Sequence, residues 1–101
     1  MAQVLVLYNA PPDGAAFRTY YQHTHAPLAK KIPGLRSFTV SEGPVQAMVG
    51  DAPFFVATLL FDSMSDLQAG MASPEGQAAA ADVPKFALGG WTLLVFDDKA
   101  V

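Results

Sequence analysis

Two hydrophobic periods take turns along this chain. Residues 3–8 (Gln-Val-Leu-Val-Leu-Tyr) are apolar and β-branched and run into the turn cluster Asn9-Ala10-Pro11-Pro12, which predicts a short buried strand. Phe17, Tyr21, Thr24 and Leu28 then recur at i, i+4, i+7 and i+11, one face of an α-helix. Asp13 is its expected N-cap, and Pro33-Gly34 stops it after Ile32. A second strand is expected over residues 35–42, a connection over 45–53, and a third strand over 54–61. Ser63 with Asp66 reads as the start of a second helix, with Leu67 and Met71 as its inward pair. Ser73 followed by Pro74 starts another, which Asp82-Val83-Pro84 is expected to end. Gly89-Gly90 then leads into a last strand, residues 91–96.

The order β-α-β-β-α-β predicts an α+β domain of ferredoxin-like topology, a four-stranded antiparallel sheet with its helices on one face. In such a sheet the other face is ordinarily polar. Here it is not. The third strand sets Phe54, Val56, Thr58 and Leu60 against Phe55, Ala57, Leu59 and Phe61, and the last sets Trp91, Leu93 and Val95 against Thr92, Leu94 and Phe96. Both faces are apolar, so the bare one is expected to be covered by a second copy of the chain.

Composition sharpens that expectation. The 101 residues suit one domain, 1–101; 51% of them are hydrophobic and only 15% charged, against about 25% in ordinary soluble domains. A net charge of −3 argues against a nucleic-acid partner, which needs a basic face. The absence of cysteine excludes disulfides, thiolate metal sites and a thiol nucleophile. No apolar run reaches the ~18 residues of a membrane span, and no basic segment precedes the first apolar run, so a cytoplasmic protein is expected.

Candidate chemistry centres on Tyr20-Tyr21-Gln22-His23-Thr24-His25-Ala26-Pro27. Two helical residues apart means roughly 200° of rotation, so His23 and His25 point to opposite sides and no shared metal is expected. His25 falls on the flank of the inward face and His23 outward. An inward imidazole serves either as general acid or base, its ordinary pKa lying near working pH, or as a structural group bonded to a backbone carbonyl. The spacing leaves both open. Pro27 removes the helical bond to the His23 carbonyl, and a kink or loosened turn should follow. Tyr21, with Tyr8 beside it, is the expected hydrogen-bond partner of His25. Tyr8, Phe38, Phe61, Phe86 and Trp91 are the aromatic residues expected to line a small-molecule pocket, plain core packing being the alternative for each.

Three groups of residues together resemble the EthD family. They are Tyr20-x4-His25-x-Pro27-Leu28-x3-Ile32-Pro33-Gly34-Leu35, the later Ser73-Pro74-Glu75-Gly76-Gln77-Ala78 with Asp82-Val83-Pro84-x-Phe86, and the opening Leu5-Val6-Leu7-Tyr8-Asn9-x-Pro11. The resemblance implies a dimeric α+β barrel and a link to bacterial degradation of a branched alkyl ether. Relatives on that fold include muconolactone isomerases, cofactor-free monooxygenases and haem-degrading enzymes. His25 matches the family histidine. In a further relative, methylmuconolactone methylisomerase, a histidine of this kind is implicated in catalysis together with a cysteine, and this chain has no cysteine. The reading is a homodimer that binds a small, mostly apolar, oxygenated molecule, with cofactor-free oxidoreductase or isomerase chemistry at His25. A non-catalytic accessory protein and a haem binder are the alternatives.

Overall fold

Four strands pair antiparallel into one sheet in the computed structural model, which describes residues 1–101. They are β1 (Ala2–Tyr8), β2 (Leu35–Val40), β3 (Phe55–Phe61) and β4 (Trp91–Asp97), in the order β2-β3-β1-β4. Between β1 and β2 lie α1 (Gly14–Tyr20), a π-helical turn (Tyr21–His25) and α2 (Ala26–Ala29), which form one continuous rod. Between β3 and β4 lie α3 (Met64–Ala72) and α4 (Pro74–Phe86). This is the ferredoxin-like fold that the element order predicts. Local chemistry sets the helix starts: Asp13 accepts from the Ala16 amide at 3.1 Å, Ser63 from Asp66 at 3.1 Å, and Ser73 from Gly76 at 3.0 Å. Before β4 the chain turns at Gly90, whose φ of +89° favours glycine, while a Cβ on Gly89 would lie 2.2 Å from the Ala10 carbonyl oxygen.

Residues paired across antiparallel strands share a face. Ala2, Val4, Val6 and Tyr8 of β1 and Phe55, Ala57, Leu59 and Phe61 of β3 face the helices and are buried. They form the core with Phe17, Tyr21, Leu67 and Phe86. Leu5, Leu7, Val56 and Leu60 point to the other face and are only half-buried. β4 differs from its neighbours. Trp91, Leu93 and Val95 stand opposite Tyr8, Val6 and Val4, on the helix side, yet every residue of β4 is exposed. Its substantial packing is against β1 alone, because the helices lie over the centre of the sheet and not over this edge. No helix is long and apolar enough to cross a membrane.

Several boundaries differ from the sequence reading. β2 ends at Val40 rather than Glu42, β3 starts at Phe55 rather than Phe54, and the first helical rod ends at Ala29. α4 does not stop at Asp82-Val83-Pro84 but runs on to Phe86 with Pro84 inside it. The inward stripe of the first rod also differs. Thr24 is exposed and Leu28 half-buried, whereas Phe17, Tyr21, His25 and Ala29 are buried. The loosening expected at Pro27 takes the form of the π turn, in which the Ala26 amide donates to the Tyr21 carbonyl five residues back. A π turn holds one residue more than an α turn. After Tyr21 the expected stripe therefore slips by one position, from Thr24 to His25 and from Leu28 to Ala29.

Candidate active site

That slip places the imidazole. His25 is 5% exposed and lies in the centre of the inward face, not on its flank. Pro27 lacks the amide hydrogen that would continue an α-helical ladder, and the wider turn falls immediately before it. His23 is exposed, so the two histidines do not meet.

α4 supplies the partner. Its inward residues are Gly76, Ala79, Asp82, Val83 and Phe86. Asp82 is 4% exposed, and its Oδ2 lies 3.0 Å from Nδ1 of His25. Its Oδ1 accepts a hydrogen bond from the Tyr20 hydroxyl at 2.7 Å. Both carboxylate oxygens of this buried acid are thus in use, as burial demands. A carboxylate at Nδ1 selects the tautomer that carries its proton there and leaves Nε2 as the acceptor. Nε2 makes no protein hydrogen bond, and no partnerless side-chain nitrogen or oxygen is sealed inside the molecule, so Nε2 is reachable. Burial pushes the His25 pKa below its ordinary value, and the bond to Asp82 opposes this only in part. The ring is neutral at neutral pH.

Aromatic rings fix the imidazole on two sides, Phe86 at 4.7 Å and Tyr21 at 5.1 Å between centroids. The Tyr8 and Tyr21 rings meet edge to face at 5.9 Å. Burial is the main cause that raises the pKa of both phenols, so both stay neutral hydroxyls.

His25 opens onto a cavity of about 40 Å³ between the helices and the sheet. Of its 15 lining residues, 14 are hydrophobic and His25 is the exception. Tyr8, Tyr21 and Phe38 line it, as does Leu93 of β4. Leu93 and Ala80 are its exposed lining residues, which puts the mouth between α4 and β4. Tyr21 and Phe38 also wall a larger, more polar groove of about 450 Å³, flanked by Arg18 and Lys30. The other expected pocket residues lie elsewhere. Phe61 is fully buried in the core, Phe86 stands behind the imidazole, and Trp91 sits exposed on the edge strand, paired with Tyr8. None of the three lines the cavity. Asp82 and Tyr20 are the members of the cluster that the sequence reading did not assign to it. Their signal was present: an acid at the inward spacing of a helix is costly to bury without a partner.

The EthD domain model matches residues 11–89. Over 103 residues the chain is 41% identical to an uncharacterised 11.0 kDa protein encoded in the thcB-thcC intergenic region of Rhodococcus erythropolis, covering 100% of this chain and 98% of that one. An EthD family protein of Bacillus halodurans has a crystal structure that superposes with a TM-score of 0.88 at 34% identity, over 98% of this chain and 99% of that chain. More distant structures share the fold. A dimeric ferredoxin-like protein of unknown function from Bacteroides fragilis has a TM-score of 0.65 at 17% identity, over 96% and 95% of the two chains. SnoaB, a cofactor-independent oxygenase of Streptomyces nogalater, has a TM-score of 0.67 at 16% identity, over 99% and 94%. With the family model spanning most of its length and close relatives matching it end to end, this chain belongs to the EthD family.

Proposed function

We propose that this protein is a homodimeric, cytoplasmic catalyst that needs no cofactor and acts on a small, mostly apolar, oxygenated organic molecule, with His25 as the acid/base. The observation that carries the reading is a single ionisable base, held by a buried carboxylate, in a cavity otherwise lined by hydrophobic residues. An apolar lining selects an apolar substrate, and the one polar group fixes where chemistry happens. Nε2 takes a proton from an activated C–H or O–H of the substrate. Asp82 stabilises the imidazolium that forms, the part a buried carboxylate plays beside any catalytic histidine. Return of the proton to a second atom completes an isomerisation. Capture of the substrate anion by dioxygen gives an oxidation, and the cofactor-independent oxygenase of the same fold lends that branch support. Tyr8 and Tyr21 serve as neutral hydroxyls at the cavity wall. A space of about 40 Å³ holds the reacting end of a ligand, and is far too small for a porphyrin beside His25. The rest of the ligand lies outside the mouth between α4 and β4, against Ala80 and Leu93.

The test is a mass-spectrometric screen of lactones, quinols and branched ethers with the wild type and His25→Ala. Turnover should fall by about 10²- to 10⁴-fold in the variant, the usual contribution of a general base. His23→Ala should match the wild type. Binding without turnover in the wild type would overturn catalysis and favour an accessory protein that carries a degradation intermediate.

A further inference from the structure

The proposed reaction uses His25 and Asp82 and gives Tyr20 no task. Yet Tyr20 makes the shortest hydrogen bond of the cluster, 2.7 Å from its hydroxyl to Oδ1 of Asp82. It is the last residue of α1, immediately before the π segment, and reaches α4 across 62 positions of sequence. Its ring is held independently of that bond: it stacks on Phe86 at 5.5 Å and 28° between planes, and Phe86 in turn packs on the imidazole. Asp82 of α4 is therefore held at both oxygens by the first helical rod, through Tyr20 at one and His25 at the other. A carboxylate held at one oxygen can rotate about its terminal torsion, which is broad. One held at both oxygens has its plane fixed. The hydroxyl also withdraws charge from the carboxylate, since a hydrogen bond to an ionised acceptor is charge-assisted.

We propose that Tyr20 is a positioning residue for His25: by holding Oδ1 of Asp82 it aims Oδ2 at Nδ1 and divides the carboxylate's charge between two donors, which leaves the imidazole neutral and Nε2 free to accept a proton. The inference deepens the function proposed above and rests on it for its catalytic consequence, though not for its test. Every other titratable group near the ring fits this role. Tyr21 from the π turn and Tyr8 from β1 are neutral phenols that face the cavity. Asp13 and Lys85 flank a surface hollow beside Tyr20 and do not reach the imidazole. The walls from β2 and β3 are apolar. The bond to Asp82 raises the pKa of Tyr20 itself, so it remains a donor.

The experiment is a pH titration of both imidazoles by NMR in the wild type, Tyr20→Phe, Asp82→Asn and the double variant. Tyr20→Phe removes one oxygen and keeps the ring stacked on Phe86. Asp82 then gives its full charge to His25, so the His25 midpoint should move up while that of exposed His23 stays fixed. In the Asp82→Asn background the same change should have no effect on His25, because the group through which Tyr20 acts is gone. A His25 midpoint that stays put or moves down in Tyr20→Phe would overturn the proposal. So would equal movement of both histidines, or an equal effect of Tyr20→Phe with and without Asp82. Should Asp82→Asn fail to fold, the single variant decides, with His23 as its internal reference. The titration needs no substrate, so a failed search for turnover would leave this result intact. If a substrate is found, the acid limb of the rate profile should move up in pH with the His25 midpoint.

Discussion

At the scale of single residues, the cluster joins a base that is harder to protonate than usual to an acid that cannot reach water. Sequence places the imidazole inside, and the inward spacing of Asp82 marks an acid that needs a partner, but nothing local joins the two across 57 positions. This pairing also changes what His25→Ala removes. His25 sits in the centre of the inward face, so the variant leaves Asp82 with one donor instead of two, and losing a hydrogen bond to a charged group costs about 1.5–3 kcal/mol. The activity test therefore needs a melting curve beside it. The lowered His25 pKa further predicts how stability follows pH. In the unfolded chain His25 titrates near its ordinary value of about 6.5, and in the folded chain it titrates lower. Below about pH 6.5 the unfolded state binds a proton that the folded state refuses, so stability falls as pH drops through that window and is flat above it. Denaturant titrations at descending pH should show this loss in the wild type and a smaller one in His25→Gln. The exposed carboxylate pairs, Asp62 with Arg36 and Asp98 with the N-terminus, have lowered pKa values and act in a different window. Their contribution persists until the pH falls below the ordinary carboxylate range. An equal acid response in His25→Gln would rule His25 out as the source.

At the scale of elements, the parts of the fold legible in the sequence are those set by neighbours in the chain. Asp13, Ser63 and Ser73 cap the helices that their positions announce. The alternation along β1 and β3 reappears as strict burial on one face. Structure departs from sequence pattern where one residue changes a period or a long-range contact overrides a breaker. Nothing in Tyr21–His25 marks the extra residue of a π turn except Pro27 just beyond it, so helical spacing alone sets the stripe one position early. Pro84 looked like a stop, but burial of Asp82, Val83 and Phe86 carries α4 past it. A pleat tells which face a side chain takes, not where on that face it lies: Trp91 stands on an edge strand, and Phe61 shares its face of β3 with the cavity residues Ala57 and Leu59 but packs towards Gly34 and Gly70. Because α4 presents Asp82, its start matters to the site. Ser73→Ala removes the cap on the Gly76 amide and should cost about 0.5–2 kcal/mol. For a domain of this size, each kcal/mol lowers the melting temperature by about 4–8 °C. Calorimetry should show that drop with the His25 titration unchanged, since the cap lies two turns before Asp82. A melting point equal to wild type would mean that Pro74 and the packing of Gly76 start the helix unaided.

At the scale of the molecule, the question is what covers the sheet. Leu94 and Phe96 stand opposite Leu5 and Gln3, so they point to the face without helices, beside half-buried Leu7, Val56 and Leu60. Each such side chain is worth roughly 1.5–3 kcal/mol when buried. A continuous patch of them is rare on a soluble monomer. The loop between β2 and β3 adds Met48 and Val49, which are 100% and 94% exposed. A chain with few charges has little else to keep such a surface in solution. Face-to-face pairing of two copies answers the sheet, and it should be isologous, so that each residue of the patch meets the same patch on its partner. Light scattering should then give twice the 10.7 kDa of one chain, and a dilution-independent mass of one chain would exclude the dimer. The register separates two substitutions that the sequence left equivalent. Phe96→Asp places a charge on the open face and should give monomers or insoluble protein. Leu93→Asp places it on the helix side, at the mouth of the His25 cavity, because Leu93 stands opposite Val6. That variant should keep the dimer and lose affinity for apolar ligands. Dissociation by Leu93→Asp with Phe96→Asp still dimeric would mean that the copies meet along the helix side of β4, and that the cavity mouth is part of their interface.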